Sequence, residues 1–134
     1  MAIAPSRPDL QAHARVARMD FASVADALRV LLGARLTAYI GNVNETRAVH
    51  GWADGSRQPS EATQHRLRHA LVVAMTIADA DGPQITQAWF QGLNPQLDDR
   101  SPARLLREGE IELDELDDLK KQVADAEKKQ RRER

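Results

Sequence analysis

Within one short stretch the sequence gathers side chains suited to reading nucleic acid: Asn44, Thr46, Arg47 and His50, followed by Arg57 and Gln58. A carboxamide, a hydroxyl, a guanidinium and an imidazole can each hydrogen-bond a base edge or a phosphate, and on a helix Thr46, Arg47 and His50 fall on the outer side. Ala48, Val49 and Trp52 are apolar and are predicted to face inward. Arg57, Gln58 and Ser60 follow where they can reach a sugar-phosphate backbone.

Other chemistry is thinly represented. His65 and His69 stand four apart, a spacing that puts two imidazoles on one helix face, yet no Glu follows His65 and no third ligand is suggested. A surface or phosphate-facing pair is the expectation, with no metal and no cofactor. The chain has no cysteine, which excludes disulfides, thiolate nucleophiles and thiolate metal sites. It also lacks a nucleophile elbow and a phosphate-binding glycine loop. The seven acids from Glu108 to Asp118 form a run rather than a pair in contrasting settings. No catalytic residue is assigned, and the chain is not expected to be an enzyme.

The elements that must carry these residues are helical. No run alternates apolar and polar with β-branched enrichment, so the fold class expected is all-α: a helix-turn-helix bundle joined by a central helix to a small C-terminal helical module. A helix from Asp9 to Met19 has Leu10, Ala14 and Ala17 along one face. Asp20 caps the next, whose Phe21, Val24, Ala25, Leu28, Leu31 and Leu32 recur at helical intervals before Gly33 ends it. Leu36 to Gly41 reads as a short helix, Asn42-Val43-Asn44 as a turn, and Glu45 to Ala53 as a second helix stopped by Gly55 and Pro59. This layout places the second helix in a major groove while the first braces it. The competing reading is a helical hairpin that packs and binds nothing.

Ser60-Glu61 opens a long helix to about Asp79. Its first half is polar, but Ala70 to Ala78 leaves almost no polar face, so it must be buried on several sides, either joining two halves or in a dimer interface. That run is far short of a membrane span, which needs about 20 apolar residues. With no signal pattern at the N-terminus, cytoplasmic localisation without membrane association is expected. Beyond it, Ile85 to Gln91 forms a helix closed by Gly92, and Asn94-Pro95 forces a turn. Ser101, Pro102 and Gly109 then serve as N-cap, first helical residue and C-terminal cap of a helix burying Leu105 and Leu106.

The net charge of −1 hides an uneven distribution. Residues 1–69 hold nine Arg against six acids, 70–119 three Arg against eleven acids, and 120–134 seven Lys/Arg against three acids. Such asymmetry is expected when one region meets an anionic polymer and another a different partner.

Ala38, Gly41, Val49, Trp52, Gly55 and Pro59, with the ending Trp-x-x-Gly-x-x-x-Pro, resemble the Xre-type helix-turn-helix proteins. Further on, Trp89, Leu93-Asn94-Pro95, Leu97, Arg100-Ser101-Pro102, Leu105-Leu106 and Arg107-Glu108-Gly109 resemble the toxin-binding domain of the Xre/MbcA/ParS antitoxins. The two occur in that family's order and cover roughly residues 36–112. The resemblance implies an antitoxin that neutralises a cognate RES-domain toxin, an enzyme consuming NAD or using it for ADP-ribosylation, and that represses its own operon by binding operator DNA.

The toxin-binding residues expected are Trp89, Phe90, Asn94, Leu97, Asp98, Arg100, Pro102, Arg107 and Glu108, with Trp89 and Phe90 serving either as anchors or as local core. The organisation expected is a lead and helix over 1–19, an Xre-like DNA-binding domain over 20–79, a toxin-binding domain over 80–112 and a charged helix or tail over 113–134, in a homodimer. In the tail, Leu113, Leu116, Leu119 and Val123 form a stripe, and acids precede bases as the helix dipole favours. Dimerisation through the stripe or phosphate contact by the last residues are the sharper alternatives. The rival for the whole chain is a stand-alone Xre-like transcriptional regulator with a C-terminal dimerisation domain.

Overall fold

A computed structural model of the chain describes residues 8–93 and 99–109, with side chains from residue 11 onward. It is all-α. The helices are α1 (Pro8–Arg18), α2 (Phe21–Leu32), α3 (Ala34–Ile40), α4 (Thr46–Asp54), α5 (Glu61–Asp81), α6 (Pro83–Gln91) and α7 (Pro102–Glu108), with no strand among the described residues. None is long and apolar enough to cross a membrane among those residues.

Most boundaries follow from local chemistry. Asp20 accepts the Ser23 N–H at 3.0 Å, Ser60 that of Thr63 at 3.3 Å and Ser101 that of Arg104 at 3.1 Å, each satisfying an amide that the first helical turn leaves open. Gly82 is shared by two helices: at φ 88° it ends α5 and precedes Pro83, so α6 begins before Ile85 and α5 runs to Asp81. Pro83 loses nothing at a first helical position, where its missing N–H would have no partner.

The face of α1 differs from the sequence expectation. Ala12 and Val16 are buried, Met19 packs beside them, and Ala14 and Ala17 are exposed. Both stripes have helical spacing; Val16 offers more apolar surface than either exposed alanine and takes the inside.

Helix α5 is the spine. Leu67 and every residue from Ala70 to Ile77 are buried, and α1, α2, α6, α3 and α7 all pack against this helix. The apolar half is therefore enclosed within one chain. Core residues run without a break from Ala12 and Val16 through Leu28, Val49 and Leu71 to Phe90, Ala103 and Leu106, so α6 and α7 share a core with the helices before them.

The polar half of α5 closes the ends of other helices. Arg68 Nη1 donates to the carbonyls of Val16 at 2.8 Å and Met19 at 2.9 Å, at the end of α1. Arg66 donates to Ile40 O at the end of α3, while Gln87 from α6 donates to Leu31 O at the end of α2. Carbonyls in a last helical turn lack intrahelical partners and carry partial negative charge, so a cation there adds both a bond and a favourable dipole interaction.

Hydrogen bonds from Ser23, its side chain first and then its backbone N–H, hold the Asp20 carboxyl below the usual value of 3.8. A carboxylate favoured in the folded state stabilises above its unfolded pKa, and that contribution is lost as pH falls through the lower folded value. Asp20→Asn keeps a capping acceptor but cannot titrate. Its urea midpoint should fall less steeply than the wild type's as pH drops from about 5 to 2, measured by far-UV circular dichroism.

Candidate nucleic-acid interface

Helices α3 and α4 are joined by a turn held by its own backbone. Asn42 N–H donates to Tyr39 O at 3.1 Å and Val43 N–H to Ala38 O at 3.0 Å, while Asn42 adopts φ 59°, a left-handed conformation that Asn tolerates better than most residues. Gly41 is buried against Trp52. A Cβ there would lie 2.9 Å and 3.1 Å from two atoms of the indole and 3.3 Å from Thr37 O, so glycine lets the turn pass this close to the ring. Trp52 also meets the Phe21 ring edge-on at 6.2 Å between centroids, which links α4 to α2.

Helix α4 divides into two faces. Ala48, Val49, Gly51 and Trp52 are buried, Arg47 and His50 are exposed, and Thr46 is half-buried. Asn44 precedes the helix on the surface, and Arg57 and Gln58 are exposed after it. Gly55 ends the helix in the left-handed conformation at φ 81°. The Arg57 side chain lies across buried Gly51, where an added Cβ would come within 2.6 Å of Arg57 Cδ, and Arg57 N–H donates to Gly51 O at 3.1 Å. Asp54 sits at the negative end of the helix, and hydrogen bonds from Ser56, side chain first, hold its carboxyl below the usual range.

Two cavities flank this unit. One of about 540 Å³ lies between α3, the start of α4 and α7, with Arg35, Tyr39, Asn44, Thr46 and Arg107 among its lining residues. Another of about 440 Å³ includes Asn42, Arg57, Gln58, Ser60 and Arg66 in its wall. Thus the six sequence-predicted nucleic-acid residues fall on α4 and its two flanks, and Arg35, Arg66 and Arg107 are cations beside them that spacing along the chain did not reveal. Arg29 is another: its Nη1 lies 3.4 Å from His50 Nδ1. Only the packing of α2 on α4 brings it there.

The residues expected to hold a toxin are distributed differently. Phe90 is fully buried and Pro102 is buried, so both lie in the core. Trp89 is half-buried and packs edge-on to Phe90 at 5.1 Å between centroids, with its Nε1–H buried and without a hydrogen-bond partner. Arg107 spreads over the Tyr39 ring at 4.6 Å and donates to Tyr39 O at 3.4 Å, bracing α3. Glu108 is exposed and pairs with Arg104 at 3.0 Å, and Arg100 is half-buried. Asn94, Leu97 and Asp98 lie outside the described residues. Ile85 and Leu93, which the sequence did not assign to a surface, are the large apolar side chains exposed in this part of the chain among the described residues.

His65 and His69 place their rings 4.1 Å apart between centroids. Among the described residues no group of three or more potential metal-ligating His, Cys, Asp or Glu side chains converges. Searches against family models, curated proteins and solved structures find no match to the chain.

Replacing Gly41 with Ala should disturb both Trp52 and the turn. A loss of about 1–3 kcal/mol in urea denaturation is expected, with a changed Trp52 fluorescence maximum, because the ring must move to admit the methyl group.

Proposed function

We propose that this chain is an antitoxin-type DNA-binding protein. Its α3–α4 unit reads operator DNA as a homodimer, and its second half engages a cognate RES-domain toxin. The observation carrying the DNA-binding part is the division of α4: Ala48, Val49 and Trp52 anchor it to the core, while Arg47 and His50 are exposed and flanked by Asn44 and Arg57. A helix held from behind can enter a major groove with polar side chains leading, and cations on both flanks can meet phosphates. The toxin-binding part rests on the resemblance of the 89–109 segment, with exposed Ile85 and Leu93 as nearby apolar contacts.

A second reading, a stand-alone regulator, is favoured by the way α6 and α7 support the helix-turn-helix itself. Phe90, Ala103 and Leu106 enter its core, and Arg107 braces α3. Under that reading the second half stabilises or dimerises the protein and meets no toxin.

Two measurements divide the proposal. Arg47→Ala should weaken binding to a duplex from immediately upstream of the chain's own reading frame by about 1–3 kcal/mol, followed by fluorescence anisotropy; unchanged affinity removes Arg47 from base reading. Co-expression with a RES-domain protein from the neighbouring reading frame should restore growth. Failure to restore it while the duplex is still bound favours the stand-alone regulator.

A further inference from the structure

His50 is exposed on the outer face of α4 and touches a side chain from α2. Arg29 Nη2 donates to Asp26 Oδ1 at 2.6 Å, one helical turn earlier, and Arg29 Nη1 lies 3.4 Å from His50 Nδ1. The carboxylate therefore holds one arm of the guanidinium while the other faces the imidazole.

A guanidinium has no acceptor, so the contact is a hydrogen bond only if Nδ1 carries no proton. In the neutral ring the proton then sits on Nε2, which becomes a donor. We propose that Asp26 and Arg29 hold His50 as the Nε2–H tautomer, so that Nε2–H donates to an acceptor on the major-groove edge of a base, a purine N7, guanine O6 or thymine O4. This rests on the DNA-binding reading above and adds to it a positioning residue, Arg29, and a hydrogen-bond donor role at a base edge for His50.

Two features separate this role from a structural one. The Arg29 and Asp26 side chains are 41% and 52% exposed, and an ion pair so exposed contributes little to stability. The burial of Val24, Ala25, Leu28 and Leu32 on α2 and of Val49 and Trp52 on α4 already joins the two helices. The other charged groups on α4 are Arg47 and Asp54. Asp54, one turn after His50, accepts from the Ser56 N–H at 2.8 Å and also interacts electrostatically with His50, while Arg29 is the side chain seen within hydrogen-bond reach of His50 Nδ1.

The test uses the full chain, ¹⁵N-labelled, at pH about 8, above the ordinary imidazole pKa. Long-range ¹H–¹⁵N spectra should show His50 with an acceptor Nδ1 and a protonated Nε2. Arg29→Met should move both shifts toward the averaged values of a histidine in a short unstructured peptide, with an unchanged melting temperature. A protonated Nδ1 in the wild type, or His50 shifts that ignore Arg29→Met, overturns the proposal.

The second arm inverts each base pair of the upstream duplex in turn. Wild type should lose about three- to tenfold in affinity at one pair, and His50→Ala and Arg29→Met should flatten the response at that pair alone. Equal base preference in all three proteins overturns this inference and leaves DNA binding standing. Failure of the wild type to bind the duplex removes both.

Discussion

The second half of α5 cannot be left in water. Ala70 to Ile77 presents apolar side chains around the whole helix, interrupted only by Thr76, whose hydroxyl donates to Val72 O at 2.8 Å. A helix apolar on one stripe needs one neighbour, but a helix apolar all round needs several. Here α1, α2 and α6 supply them, and their arrangement around α5 sets where each can carry anything else.

The polar half of the same helix extends that organisation. Arg68 closes α1 and Arg66 closes α3, while Gln87 and Arg107 close α2 and α3 from the helices that follow. Each bond joins residues far apart in sequence and supplies a partner to carbonyls that a short helix leaves open. Because α3 has only seven residues, its end receives two such donors, and the turn before α4 starts from a well-defined position. The outward direction of Arg47 and His50 thus depends on contacts made by α5 and α7. Aromatic packing adds to this, since Trp52 touches both Phe21 and the backbone at Gly41.

Much of the helical layout was legible along the chain. Asp20, Ser60 and Ser101 act on amides three residues ahead, and Gly55 and Gly109 take left-handed conformations just after a helix, so these signals need no tertiary contact. The faces of α4 were legible because Val49 and Trp52 outweigh every alternative side. On α1 the competing stripes are built largely from alanine, and the choice between them required Val16 to meet the rest of the core. Helix α6 extended farther toward its start than expected because Gly82 could end one helix and precede another.

The site was legible in part. Asn44, Thr46, Arg47, His50, Arg57 and Gln58 lie close together in sequence, so local helix geometry suffices to group them around α4. Arg29, Arg35, Arg66 and Arg107 join them from four other helices, and no spacing rule connects residues so distant. Trp89 and Phe90 are adjacent in the chain yet differ in burial, and Arg107 turns toward Tyr39 instead of outward.

Helix type, caps and the inner face of α4 came from side-chain chemistry acting within a few residues. Which cations surround α4, which tautomer His50 is offered and which aromatic is core depend on helices meeting across the fold. The reason is physical: capping and amphipathic periodicity act over one or two turns, whereas the orientation of a charged or aromatic side chain depends on neighbours that chain folding alone brings near.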